Sequence, residues 1–427
     1  MTPLSRRTFL ASTSAAGALA ATGPLILGAD EAPSKVVTIG VMGMSRGRSL
    51  AQTFGSLPGV RIKYVCDVDP VRAEQGKAEV EKLESKQAPQ AVLDFRKILD
   101  DPEVDALVCA APNHWHAPAA IMACQAGKHC YVEKPCCHNP WEGELLIAMA
   151  RKYNKAVQMG NQRRSGPGFI EAMKRLQEGV IGRVYLSKSW YTALRPSIGQ
   201  GVPAKPPEGI DYAMWQGPAP HKEFRSNYLH YNWHWFWHWG NGELGNNGIH
   251  AIDISRWGLG ADYPIRVTSS GGRYRFQDDQ ETPDTHTICV EFEGGRQAIW
   301  EGRSCNNHKA PFVEFYGETG TMLIDENGTY TIYNANDKET ETVKHSRSDA
   351  QHVGNFLAAI RNNTPLALNS EIEEGYKSTL LCHLGNIAQR TGRTLQCDPK
   401  NGRILQDEAA MALWKREYSQ EWTPKET

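Results

Sequence analysis

The sequence predicts an α/β protein of two domains behind a leader, and three observations predict it. Short β-branched runs alternate with helix-like stretches through the first third of the 427 residues. A glycine-rich turn follows the first of these runs, and an acidic residue ends the second. Beyond Thr285, alternating apolar and polar residues flank turns that contain glycine, the signature of antiparallel hairpins.

Ser5-Arg6-Arg7-Thr8-Phe9-Leu10 has the pattern of a twin-arginine export signal. A weakly apolar run from Ala11 to Leu27 follows, then small residues from Gly28 to Ala32 suited to cleavage. Ser12, Thr13, Ser14, Gly17 and Gly23 dilute the run, and it is short for a bilayer span. Residues 1–32 are therefore expected to be a signal peptide read by the twin-arginine translocase, and the mature protein is expected to be periplasmic, with no membrane span. A formal net charge of −1 makes no electrostatic case for nucleic acid. Of the ten cysteines, Cys66, Cys109, Cys289 and Cys382 sit in apolar stretches and read as small buried hydrophobes. Cys136 and Cys137 are adjacent and poorly placed to bridge each other, so no structural disulfide is expected.

Val36–Met42 reads as a strand, Gly43-Met44-Ser45-Arg46-Gly47 as a tight turn, and Arg48–Phe54 as a helix. A second strand, Arg61–Cys66, ends in Asp67. This is the layout of a dinucleotide-binding βαβ unit. Glycines let the backbone approach a pyrophosphate, and the helix start offers it N–H groups. Asp67 can accept the ribose hydroxyls and would repel a 2′-phosphate, which favours NAD over NADP. The loop departs from the usual fingerprint: it is one residue short and carries Ser45 where a glycine is expected. Arg46 and Arg48 either reach the phosphates or are plain surface charges.

Val104–Ala111 is a nearly continuous apolar run, as expected of a strand covered on both faces. It stops at Pro112-Asn113-His114-Trp115-His116, and a helix-like stretch runs from Ala117 to Ala126. Lys128–Val132 forms the next strand and ends in Glu133-Lys134-Pro135. Both motifs fall at strand ends, where open parallel sheets bind ligands.

With Glu133-Lys134-Pro135 and Ala111-Pro112-Asn113-His114-Trp115-His116, the chain resembles the Gfo/Idh/MocA family, typified by glucose–fructose oxidoreductase and inositol dehydrogenase. Gly242–Asp253 is similar to that family's second-domain motif, G-x-x-x-D-x-G-x-H-x-x-D, and Leu381–Ala388 is similar to members with export signals. The resemblance implies a Rossmann domain over 33–160, then a substrate and oligomerisation domain over 161–427 with a large, mostly antiparallel sheet. It places Lys134 at the substrate hydroxyl and nicotinamide, and makes His250 the acid–base residue. Gly43, Ser45, Arg46, Gly47, Asp67, Pro112, Asn113, His116, Glu133 and Lys134 are the expected cofactor contacts. One departure stands out: the family commonly has aspartate four residues before the histidine, where this chain has Asn246. Asparagine can orient His250 but supplies no charge; Asp253 either replaces that charge or positions substrate.

On the substrate side, Tyr231–Gly240 alternates Trp233, Trp235, Trp237 and Trp239, which would share one face of an extended strand. Such a belt is either a wall for sugar rings or part of a core or interface. The Pro- and Gly-rich stretch from Pro196 to Pro220 reads as a long irregular loop. Asn161-Gln162-Arg163-Arg164 begins the crossover between domains, with Arg164 a candidate for substrate or cofactor. Hairpins are expected around Gly294-Gly295, Glu318-Thr319-Gly320 and Glu326-Asn327-Gly328, and helices over 349–361 and 371–390. His345, His352 and His383 lack ligand spacing with cysteines or carboxylates, so no metal is expected.

Together these imply an exported, NAD-dependent oxidoreductase acting on a secondary hydroxyl of a sugar, polyol or glycoside. Folded export favours a cofactor that enters prebound and stays. A redox-neutral glycoside hydrolase or lyase is the enzymatic alternative, although the Tyr-Pro-Thr-His-Gly segment of one such group is absent. A non-catalytic sugar-binding protein on the same fold is the third. The resemblance also implies a homo-oligomer.

Overall fold

The computed structural model describes residues 35–83 and 88–425; the export signal expected over 1–32 lies outside them. The first sheet is wholly parallel. Its strands are β1 (Val37–Met42), β2 (Val60–Cys66), β3 (Gln90–Val92), β4 (Ala106–Cys109), β5 (His129–Val132) and β6 (Val157–Met159), in the order β3-β2-β1-β4-β5-β6. Every side chain of β1 and β4 is buried, which is why these strands read as unbroken apolar runs. Helices α1 (Arg46–Gly55), α2 (Pro70–Glu81), α3 (Arg96–Asp100), α4 (Asn113–Gln125) and α5 (Pro140–Lys152) connect them. The strand order reverses between β1 and β4, so a crevice opens beyond their C-terminal ends.

Helix α6 (Pro167–Gln177) leads into a ten-stranded sheet. Its strands are β7 (Val184–Leu194), β8 (Arg266–Gly272), β9 (Thr285–Phe292), β10 (Arg296–Arg303), β11 (Cys305–Asn306), β12 (Val313–Gly317), β13 (Gly320–Ile324), β14 (Tyr330–Asn334), β15 (Glu339–Val343) and β16 (Leu395–Gln396). The order is β15-β14-β13-β12-β7-β10-β9-β8-β16, with β11 on β7, and among the described residues β7 with β10 is the one parallel strand pair of this sheet. The three expected hairpins are present; Gly294 and Gly295 turn β9 into β10 with φ of 74° and 65°, which only glycine adopts without strain.

The remaining helices are α7 (Tyr212–Gln216), α8 (Ile249–Leu259), α9 (Asp349–Arg361), α10 (Ile372–Thr391) and α11 (Glu408–Met411). Burial alternates along β9 because α8 and α10 cover one face of the large sheet and leave the other half-exposed. Cys289 lies on that second face and is half-buried, unlike the buried Cys66, Cys109 and Cys382. All ten cysteines are free thiols. Helix α9 returns to the first domain, where Phe356 packs edge-on against Phe54 and Tyr131 at 6.3 and 5.9 Å. That return carries Arg347 and Asp349 to the crevice. No helix among the described residues is long and apolar enough to cross a membrane.

Candidate active site

A cavity of about 490 Å³ opens at the β1/β4 reversal and runs between the two domains. At one end lies the turn after β1. Gly43 has φ of 90°, and a Cβ there would sit 2.5 Å from the Ala110 carbonyl oxygen, so no larger residue lets the turn approach β4. No side chain caps the start of α1 and no acidic residue sits in its first turn, which leaves this end suited to an anion. Asp67 ends β2 as expected. Its carboxylate accepts the Met44 N–H at 2.7 Å and the Asp69 N–H at 3.0 Å, tying the turn to the strand end. Burial pushes its carboxyl up from the ordinary value, against the lowering effect of those two hydrogen bonds. A turn that a Cβ would fill, an uncapped helix start and a strand-end carboxylate together fit a dinucleotide.

In the middle, Pro112, Asn113 and His116 line the cavity beside Glu133 and Lys134. The His116 ring nitrogens lie 2.6 Å from the Pro135 carbonyl oxygen and 2.7 Å from that of Ala111, so this side chain binds the two strand-end motifs together. Glu133 accepts from Gln162 at 3.0 Å and from Arg46 at 3.3 Å. Arg46 also donates to Asp349 at 2.8 Å, across 303 residues of chain. Arg46 is thus held by two carboxylates, and among the described residues Arg48 reaches Gln75 and Glu79 near the surface.

At the far end, Lys134 and His250 face one space. Leu244–Gly248 forms a π-type turn that runs directly into α8. Lys134 donates to the Asn246 carbonyl at 2.5 Å and to its amide oxygen at 3.3 Å, while the Asn246 amide nitrogen donates to Glu243 at 3.3 Å. Asn246 therefore positions Lys134, and the expectation that it orients His250 is corrected. Burial holds the Lys134 ammonium below its ordinary pKa, opposed by the nearby charge of Glu133. Burial, then the charges of Arg163 and Lys134, hold His250 well below the ordinary histidine value. Among the described residues its Nδ1 has no partner. The site thus presents an ammonium donor and a neutral imidazole in one space, a pair able to remove a proton from an alcohol.

Several expected contacts lie elsewhere. Gly47 lies outside the cavity; a Cβ there would sit 3.2 Å from Val41 and Met44, so its role is the packing of α1 on β1. Arg164 and Asp253 are also outside it. They form a buried ion pair at 2.9 Å, which Ser378 joins by donating to Asp253 at 2.6 Å. Asp253 is spent on that pair and supplies no charge to His250. The tryptophan belt is not a strand: Asn232–Trp235 is a 3₁₀ turn and the rings scatter. Trp233 stacks on His234 at 3.6 Å and lines the cavity. Trp235 packs under Arg195, Trp237 lies against Arg390 in a separate cleft, and Trp239 is sealed against Trp215 and Tyr228. Each ring finds its own aromatic or cationic neighbour, which a flat strand would deny it. Arg72, His230, Arg347 and Asp349 line the cavity without any local motif to announce them. Among the described residues no cluster of three metal-ligating side chains occurs.

Family models match both domains. Residues 34–161 match an oxidoreductase-family NAD-binding Rossmann fold, and residues 197–424, more than half of the chain, match the C-terminal alpha/beta domain of the same family. This chain belongs to the Gfo/Idh/MocA oxidoreductase family. It is 25% identical to the uncharacterized oxidoreductase YrbE of Bacillus subtilis over 307 residues, 70% of this chain and 76% of that protein. It is 26% identical to an alpha-N-acetylgalactosaminidase of Shewanella oneidensis over 176 residues, but that alignment spans only 38% of the relative. A solved levoglucosan dehydrogenase, in complex with NADH and levoglucosan, superposes with a TM-score of 0.65 over 85% of this chain and 99% of that one, at 20% identity. This likeness shows the fold: a parallel Rossmann sheet followed by a mostly antiparallel sheet. The first domain of this oxidoreductase is of the NAD-binding type.

Proposed function

We propose that this chain is an exported, NAD-dependent oxidoreductase that oxidises a secondary hydroxyl of a sugar, polyol or glycoside and retains its cofactor. The observation that carries this is the placement of Lys134 and His250 in one cavity that opens onto the strand ends of an NAD-binding domain. The solved levoglucosan dehydrogenase of the same fold supports a carbohydrate substrate. When bound, the nicotinamide supplies a hydride acceptor. His250 would take the proton of the substrate hydroxyl that is oxidised. Lys134, fixed by Asn246, donates to the substrate oxygen and stabilises the alkoxide as it forms. His250 is neutral at physiological pH because burial and nearby cations disfavour its charged form, so it is ready to accept. Gly43, Ser45 and the start of α1 would hold the pyrophosphate, and Asp67 would favour NAD over NADP.

The alignment with an alpha-N-acetylgalactosaminidase favours a second reading: transient oxidation that lets a glycosidic bond leave by elimination, with no net reduced cofactor. The half-exposed outer face of the large sheet is the surface on which a homo-oligomer would form.

The test is to denature protein purified from cytoplasm and weigh what is released. Stoichiometric NAD is expected, and added sugars should exchange hydride with it. Release of NADP would overturn the role given to Asp67. If nothing is released and added NAD does not bind, the chain is a non-catalytic sugar-binding protein. Glycoside cleavage without net NADH would select the redox-neutral cycle.

A further inference from the structure

Arg163 and Arg164 are chain neighbours, both buried, yet their partners differ. Arg164 is neutralised by Asp253 at 2.9 Å, with Glu374 at 3.5 Å. Arg163, in the 3₁₀ turn Gln162–Ser165 after β6, is 8% exposed and faces the cavity. Its guanidinium lies over the Phe312 ring at 4.6 Å. Its one carboxylate neighbour within ion-pair range among the described residues is Glu326, 3.9 Å away with its side chain 67% exposed. A contact that long to a solvated acid does little to offset a buried charge. The buried Nε of Arg163 has no acceptor.

Arg347 lines the same cavity, and its buried Nε is also without an acceptor. Its Nη1 reaches Asp349 at 3.5 Å, but Asp349 already accepts from Arg46 at 2.8 Å. Lys134 is hydrogen-bonded to the uncharged carbonyl and amide oxygens of Asn246, and the carboxylates near it, Glu133 and Glu243, are already shared with Arg46 and Arg195. The catalytic end of the cavity therefore carries cations in excess. Two of them, Arg163 and Arg347, line the cavity and each has a buried Nε–H with no acceptor among the described residues, so the desolvation of their charge is poorly repaid within the protein. An oxidised nicotinamide ring is itself cationic and does not supply the missing anion. A carboxylate does: its two oxygens match two guanidinium donors, one from each arginine.

We propose that the substrate is a sugar bearing a carboxylate, which seats on Arg163 and Arg347 beside His250. This rests on the sugar-oxidising function above and narrows it to acidic sugars. Binding there also brings negative charge to His250, so the substrate offsets the cations that hold that imidazole neutral.

The test is calorimetric binding to the NAD-loaded full chain with matched pairs, D-glucuronate against D-glucose and D-galacturonate against D-galactose, and with D-glucose 6-phosphate alongside. In at least one pair the uronate should bind about tenfold or more tighter than its neutral partner. That preference should shrink as salt is raised. It should fall to about threefold or less in Arg347→Gln, whose partly exposed side chain permits replacement, and in Arg163→Gln, with melting curves confirming that both fold. Equal or tighter binding of the neutral sugars would overturn the carboxylate subsite and leave sugar oxidation standing. Tighter binding of the sugar phosphate would overturn the carboxylate in favour of a phosphate. A uronate preference that survives both substitutions would overturn the assignment to these arginines. No binding by any sugar would overturn the subsite and the carbohydrate function together.

Discussion

At the cofactor end of the cavity, Gly43, Ser45 and Asp67 all come from one strand–turn–helix–strand unit, whereas at the other end Lys134, Arg163, Asn246 with His250, and Arg347 come from four separated segments. The first end is held by short-range bonds, such as Asp67 to Met44 at 2.7 Å. The second is held by long-range ones: Lys134 to Asn246 across 112 residues, and Arg46 to Asp349 across 303. Their electrostatics differ too. The cofactor end presents carboxylates already engaged by backbone N–H groups, and the catalytic end presents cations in excess. One end is built for a fixed, universal ligand, and the other for a particular substrate.

The largest expected effect breaks the catalytic end alone. His250→Ala and Lys134→Ala should each lower hydride transfer by roughly 10²- to 10⁴-fold, the usual contribution of a positioned acid or base. Cofactor content, read by mass after denaturation, should stay unchanged in both. Loss of cofactor together with activity would show that the two ends are not separable.

A smaller effect breaks the cofactor end. Gly43→Ala forces a Cβ to 2.5 Å from the Ala110 carbonyl oxygen at φ of 90°. Strain of about 1–3 kcal/mol should appear as a roughly 5- to 150-fold loss of NAD affinity, measured by equilibrium titration. Normal affinity in that variant would mean the turn is not the pyrophosphate cradle.

The smallest effect sharpens the comparison. Asn246→Asp places a carboxylate against Lys134 and near His250, favouring the charged form of each. Both pKa values then rise. The reaction needs His250 neutral and Lys134 charged, so both limbs of the pH profile of kcat/KM should move to higher pH, by less than about one unit. A profile that does not move would show that position 246 acts through geometry alone.

The two ends also differ in how legible they were. The phosphate turn, Asp67 and the strand-end motifs Pro112–His116 and Glu133–Pro135 could be placed from sequence, because a βαβ unit is local and its turn chemistry is written in a few consecutive residues. Gly47 was misplaced for the same reason: a second glycine in such a turn reads as a phosphate contact, and only the packing of α1 on β1 shows its use. The tryptophan belt misled because alternation marks a face only if the backbone is extended, and here it turns. Of the neighbours Arg163 and Arg164, the sequence pointed to Arg164 as the substrate or cofactor contact. Tertiary contacts decided that one is sealed by Asp253 and the other faces the cavity.

The resemblance of their motifs to a known family singled out Lys134 and His250; composition and pattern by themselves determined the α/β class, the parallel nucleotide-binding sheet and the hairpins of the second sheet. These follow from hydrophobic period and turn chemistry, which act over a few residues. Only the tertiary structure decided what surrounds that pair: Asn246 serving Lys134 instead of His250, Asp253 withdrawn into an ion pair, and Arg347 and Asp349 brought back by α9. The reason is physical. Burial and the pairing of charges depend on which distant segments meet, and no short stretch of sequence contains its own partners.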